Sequence, residues 1–103
     1  MTRYWLEPGA AARLDEIFVY TRDVWGEEQA ERYVRGLFAK FDAIAGREVI
    51  WKRIPAEFEV QGWFCRHERH YVYWKSLADG KVAIVAILHE RMHRIARIKD
   101  AMK

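Results

Sequence analysis

Five side chains suited to proton transfer or metal ligation fall in two short stretches: Cys65, His67 and His70 in one, His89 and His93 in the other. Arg66, Arg69 and Arg91 lie among them. Three readings compete. Imidazole titrates near neutral pH, so His70 or His89 suits a general acid or base, with Arg66, Arg69 and Arg91 to hold a phosphate. The His-x2-His and His-x3-His spacings suggest a metal site. The bland reading is structural: imidazoles at a strand end, hydrogen-bonded locally. Metal is the weakest of the three. On one regular strand His67 and His70 have opposite parity and point to opposite faces. A His-x3-His pair straddling a strand end also lacks the helical geometry that would converge its ligands. Cys65 is the only cysteine, so no internal disulfide can form, and a lone strand cysteine is usually a small core residue. The chain has no Gly-rich phosphate loop, serine nucleophile elbow or carboxylate pair, and no cofactor or metal is expected.

The elements that must position these residues can be read from hydrophobic spacing. Tyr71–Trp74 are strand formers, and Val82–Leu88 is an unbroken apolar run, as in a strand covered on both faces. Asp79-Gly80 between them predicts a two-residue hairpin loop. Ala78 then faces Lys81. Counting outward, Tyr71 faces Leu88, His70 faces His89 and Arg69 faces Glu90, so the two histidines lie side by side far from the turn. A one-residue slip would break this pairing. Upstream, Arg3–Glu7 reads as an edge or first strand. Pro8 suits a helix start, and Leu14, Ile17, Phe18, Thr21 and Trp25 mark one face of a helix from about Gly9 to Asp23, closed by Gly26. Ala30, Tyr33, Val34, Leu37, Phe41 and Ile44 mark a second helix from about Glu27 to Ala45, antiparallel to the first because the connection is short. Arg47–Pro55 reads as a loop and Phe58–Cys65 as a strand with a bend at Gly62. Residues Arg94 to Met102 fit either a short last helix or a mobile tail. The order β-α-α-β-β-β predicts an α+β fold, a helical hairpin packed on a mainly antiparallel sheet.

At 103 residues the chain is expected to form one domain, 1–103, with a modest core. Aromatics make up 15% of it, including five Trp, more than a small core needs, so some should be exposed at an interface. The net charge of +3 is too small to establish nucleic-acid binding by itself. Its distribution says more: three Arg, two Lys and one His against one Asp lie between Arg91 and Lys103, while acids concentrate in the first half. That basic segment, with Arg91, Arg94 and Arg97, is either a contact for an acidic or phosphate-bearing partner or a solvated helix face. Trp51-Lys52-Arg53 mixes an aromatic with two cations; it could stack on a base or dock a partner, or simply anchor a surface loop. No apolar stretch approaches membrane-spanning length, so a cytoplasmic protein without membrane contact is expected.

Two strings add a family resemblance. His70–Lys75, Asp79-Gly80 and Ile87-Leu88-His89-Glu90-Arg91-Met92 resemble the C-terminal half of the ParE toxins, of the RelE/ParE superfamily of bacterial toxin–antitoxin systems. Leu6-Glu7-Pro8, Leu14–Ile17, Trp25-Gly26, Gln29-Ala30, Tyr33 and Leu37 fit the first half. The resemblance implies a helical hairpin on an antiparallel sheet and a toxin that poisons DNA gyrase and is not known as an enzyme. It also implies a cognate antitoxin, small, acidic and DNA-binding in its other half. Trp51, Lys52, Arg53, Arg91, Arg94 and Arg97 are then the expected target or partner contacts. The RelE relatives instead cut mRNA on the ribosome with basic residues and, in some branches, a His or Tyr. Under that alternative Arg66, Arg69, His70 and His89 form the catalytic set, although the paired Lys run and the C-terminal Tyr of RelE are missing. A toxin fold that has lost toxicity and only binds its partner is a third reading.

Overall fold

Pro8 occupies the first turn of a helix, where its missing N–H costs nothing, and the chain stays helical to Trp25. The computed structural model describes residues 3–92 and 94–102. Strand β1 (Tyr4–Leu6) leads into α1 (Pro8–Trp25), and Gly26 alone separates α1 from α2 (Glu27–Ala45). The Gly26 N–H closes α1 on the Arg22 carbonyl at 2.9 Å, while its own carbonyl accepts from Ala30 at 3.1 Å to open α2. Four strands follow: β2 (Lys52–Arg53), β3 (Trp63–His67), β4 (His70–Ser76) and β5 (Val82–His89). The chain ends in α3 (Arg94–Met102).

The sheet has the order β1-β5-β4-β3-β2, antiparallel except where β1 runs parallel to β5. The α+β architecture is therefore as predicted, with two differences. The segment read as a strand from Phe58 is a 3-10 turn at Ala56–Phe58, and the strand begins only at Trp63. The segment read as the Arg47–Pro55 loop contributes the two-residue edge strand β2. Of the two readings of Arg94–Met102, a short helix or a mobile tail, the structure shows the helix, with Ile98 buried.

Helices cover both faces of the sheet. Leu14 and Ile17 of α1 and Leu37, Phe41 and Ile44 of α2 pack against Val72, Trp74, Val82, Ile84 and Ile87. On the other face, Ile98 of α3 joins Ile54, Phe58, Tyr73, Ala86 and Leu88 in a second core. Strand β5 lies between the two, and Val82–Leu88 is buried throughout, as an unbroken apolar run requires. No helix among the described residues is long and apolar enough to cross a membrane.

The β4–β5 hairpin reaches its expected far-end register by an unexpected route. The loop has three residues, Ala78-Asp79-Gly80: Leu77 donates to Lys81 O at 2.8 Å, and Gly80, at φ 85°, donates back to Leu77 O at 3.1 Å. Only Gly80 takes positive φ here, whereas a two-residue type I′ loop would require Asp79 to do so as well. The pairing leaving the turn is therefore one residue off. A bulge then restores it: Trp74 pairs with Ile84 and Tyr73 with Ala86, leaving Val85 over. Beyond the bulge Tyr71 faces Leu88 and His70 faces His89, as counted from the sequence.

The burial of Ile98 sets a stability expectation for the C-terminal helix. Ile98→Ala removes a fully buried side chain and should lower the unfolding free energy by about 2–4 kcal/mol in a urea titration. Arg97→Glu, on the exposed side of α3, should stay within about 0.5 kcal/mol of the parent. Equal stability of the two variants would mean that α3 is not docked.

Candidate functional site

Glu68 and Arg69 form the tight turn between β3 and β4, with Glu68 at φ 51°. This turn makes His67 the direct cross-strand partner of His70, and His70 is in turn the partner of His89. The three imidazoles thus stand in a row across three neighbouring strands, on the face covered by the helical hairpin. The parity reading that sent His67 and His70 to opposite faces is corrected: it assumed a single strand, and the chain reverses between them. Among the described residues no group of three or more His, Cys, Asp or Glu is arranged to hold a metal ion. His93 lies outside the described residues.

Helix α2 roofs this row. Tyr33 Oη sits 2.6 Å from His70 Nδ1 and 3.4 Å from the His67 carbonyl. One tautomer satisfies both contacts: Nδ1–H donates to Oη, and the hydroxyl donates to the carbonyl. Gly36, one turn on, allows the close approach of His67, since a Cβ there would stand 3.2 Å from His67 Nε2. His70 is 7% exposed, and the His89 ring stands nearly perpendicular to it at 5.2 Å. Burial, reinforced by His89, Arg13 and His67, drives the His70 pKa down to about 4. Burial also lowers His67, against the pull of Glu68, and raises the Tyr33 phenol. At neutral pH His70 is therefore uncharged, able to accept a proton and poorly suited to donate one. The backbone N–H of Arg91 donates to His89 Nδ1 at 3.1 Å, which leaves Nε2 as the protonated nitrogen of the neutral ring.

The arginines at this end are partly engaged. Arg66 pairs with Glu90 at 2.5 Å and donates to the Glu68 carbonyl at 2.7 Å. Arg69 reaches the other Glu90 oxygen at 3.8 Å, and Glu90 N–H donates to Arg69 O at 2.9 Å, extending the hairpin by the predicted Arg69–Glu90 step. Arg91 makes no ion pair among the described residues. Arg13 of α1 donates to the Ile87 carbonyl and to Glu16, both at 3.3 Å. A cleft of about 780 Å³ opens here between α1, the start of α2 and the sheet end, with Arg69, His70, His89 and Arg91 on its wall. Its rim carries Tyr20 and Trp25, 67% and 70% exposed.

The remaining sequence-predicted contacts lie elsewhere. Trp51 packs against the hairpin side: its indole N–H donates to Ile44 O at 3.2 Å, its ring meets Trp63 and Trp74, and Arg47 stacks 3.5 Å from the ring centroid. It is an anchor with its ring already occupied. Lys52 and Arg53 are exposed on the edge strand at the Trp63 end of β3, away from the histidines. Arg94 stacks over Tyr71 at 4.1 Å on the α3 face, where burial raises the Tyr73 phenol and Arg94 opposes the rise. Arg97 is exposed on α3. The structure therefore brings Arg69, His70, His89 and Arg91 together, sets Arg66 at the same end of the sheet on the Tyr71 face, and leaves the other five expected contacts apart. Sequence reasoning assigned Tyr33 to the core and Trp25 to a buried helix face, and did not single out Arg13 or Tyr20. The available signal was Trp25 abutting Gly26, where a helix end projects past the sheet.

The profile of the ParE toxin of type II toxin–antitoxin systems, parDE, matches residues 4–94. The chain belongs to the ParE toxin family. It is 37% identical to Toxin ParE of Escherichia coli over 103 residues, covering 100% of this chain and 99% of that protein. It is 32% identical to Toxin ParE1 of Caulobacter vibrioides over 99 residues, covering 95% and 99%. Toxin ParE1 of Mycobacterium tuberculosis (strain ATCC 25618 / H37Rv) is also 32% identical, over 93 residues that cover 88% of this chain and 92% of that one. The fold superposes with TM-score 0.67 at 16% identity on a chain of the chromosomal ParDE TA system from P. aeruginosa, covering 86% of this chain and 96% of that one.

Within this ParE chain the Tyr33 hydroxyl ties α2 to the histidine row. Tyr33→Phe keeps the ring and leaves the buried His70 nitrogen without that partner, so a stability loss of about 1–3 kcal/mol is expected at pH 7. The displacement of the urea midpoint measures it; an unmoved midpoint would mean that water takes the place of the hydroxyl.

Proposed function

We propose that this ParE-family toxin arrests growth by inhibiting DNA gyrase in the cytoplasm and is held silent by a cognate antitoxin. Family membership supports the class. One structural observation carries the choice of mechanism: the histidine end is built as a packed and paired surface. His70 is buried and tied to Tyr33, and Arg66 and Arg69 are tied to Glu90. A phosphodiester-cleaving centre needs an acid and a base that can both reach substrate, with cations free to meet the phosphate. An exposed aromatic rim beside an arginine that makes no ion pair among the described residues is instead suited to holding a protein. Trp25, Tyr20, Arg69 and Arg91 are the contacts we assign to the cleft. An antitoxin segment that is apolar and partly acidic complements them, and such segments commonly order on binding. Lys52, Arg53, Arg94 and Arg97 would add long-range attraction to DNA-bound enzyme or to an acidic partner.

One feature keeps a second reading in play. His70 and His89 are adjacent and line a cleft with Arg13, Arg69 and Arg91 on its wall, so three members of the alternative ribonuclease set of Arg66, Arg69, His70 and His89 share it, while Arg66 lies over Tyr71 on the other face of the sheet. Induction in cells separates the two readings. Relaxed or cleaved plasmid with intact transcripts is the expected outcome, whereas cut mRNA with normal supercoiling would replace gyrase inhibition with ribonuclease activity. For the partner, co-expression with the adjacent acidic reading frame should yield a co-purifying complex. Trp25→Ser with Arg91→Glu alters only exposed residues and should weaken that complex at least about tenfold with little change in thermal stability. Undiminished affinity in the double variant would move the antitoxin off the cleft.

A further inference from the structure

The row of His67, His70 and His89 is an unusual object to bury. Each is the direct cross-strand partner of the next, so the imidazoles share one face with no residue between them. His70, the middle one, is enclosed by groups that offer a positive charge no counterion. From α1 comes Arg13, already bonded to Glu16 and the Ile87 carbonyl. From α2 come the neutral Tyr33 and, acting on His67, the cation Lys40. The β3–β4 turn supplies Glu68, 3.5 Å from His67, and Arg69. The end of β5 supplies His89 and then Glu90, which is taken by Arg66 and Arg69, with Arg91 beyond. No ion pair or hydrogen bond joins His70 to a carboxylate among the described residues.

We propose that this imidazole row is a proton-operated latch: while it is neutral it lets Tyr33 pin α2 to this end of the sheet, and a proton taken up by the row releases that end and opens the cleft while the α3 core on the other face stays closed. The Tyr33 bond itself survives protonation, because a charged His70 can still donate through Nδ1. The drive is the charge, which the buried site cannot hydrate and which meets Arg13 and a neighbouring imidazole on either side. The 67–70 turn and the first half of α2 must separate to let water in. The second core shares no member with the row.

The direction follows from the native His70 pKa of about 4 against an ordinary value of 6.5. The unfolded chain binds the proton more readily, so the contribution to stability is complete above pH 6.5 and is lost as pH falls from there through 4. Between pH 7 and 5 this one group should lower the folding equilibrium constant about 20-fold.

The test is stability against pH for the wild-type chain and for His70→Gln, which stays polar but cannot titrate, together with amide hydrogen exchange of the wild type at pH 7 and 5. The wild type should lose about 20-fold more of its folding constant than the variant over that interval. At pH 5 protection should fall first around Tyr33 and the 67–70 turn, with amides around Ile98 retained. Parallel pH curves for the two chains, or protection lost evenly across both cores, would overturn the latch. Should the variant not fold, the His70 ring can be titrated by NMR in the wild-type protein: a midpoint near 4 to 5 supports the proposal and one near 6.5 ends it. None of these readings involves gyrase, mRNA or antitoxin, so the outcome is independent of the proposed function.

Discussion

Strand β5 is the member on which every other element depends. It pairs with β1 on one side and β4 on the other, carries the helical hairpin on one face and α3 on the opposite face, and ends at His89. Its bulge at Val85 decides what each face receives. With the bulge, Val82, Ile84 and Ile87 all point under the hairpin, and Ala86 and Leu88 point under α3. A straight strand of the same length and end register would place Ala83 and Val85 under the hairpin in place of Val82 and Ile84. The larger core gains the larger side chains, and dispersion and area burial both favour that choice.

This constraint also explains what could be read in advance. The two helices were legible because their apolar residues recur at three and four, and the short joint at Gly26 forced them antiparallel. The far-end pairing of His70 with His89 was legible because the loop takes Ala78 from the β4 side and the bulge takes Val85 from the β5 side, so each strand loses one residue and the register of a two-residue loop returns. The route was not legible: a run that is apolar at every position from Val82 to Leu88 has no alternation to reveal a change of parity. The role of α3 was hidden for the opposite reason. Its sequence is dominated by charge, and a helix of nine residues needs only Ile98 and partial burial of Ile95 and Met102 to dock.

The site was legible in parts. Charge and imidazole at the end of a buried strand pointed to the correct region, and the register placed two histidines and Glu90 correctly. The third histidine joined them because the chain reverses at Glu68-Arg69, a turn that carries no glycine, asparagine or proline to announce it. Tyr33 and Trp25 belong to apolar helical stripes and could not be separated from core by spacing alone. What distinguishes them is where the sheet beneath them stops, a fact of tertiary structure. Conversely, Trp51 beside two cations reads as an exposed stacking platform, yet its indole is spent on Ile44, Trp63, Trp74 and Arg47.

The pairing of β1 with β5 bears on the order in which this domain can assemble. Tyr4 lies beside Val82, so β1 cannot pair until the distant strand β5 is in place. The cleft has the same requirement, because its walls join Arg13 and Trp25 to Arg69, His89 and Arg91. Loop closure over such a separation is slow compared with helix formation. A folding chain can therefore carry a formed helical hairpin and still lack the cleft. The cleft is completed only when β5 and the 67–70 turn have docked on that hairpin, which makes it one of the last features of the domain to form.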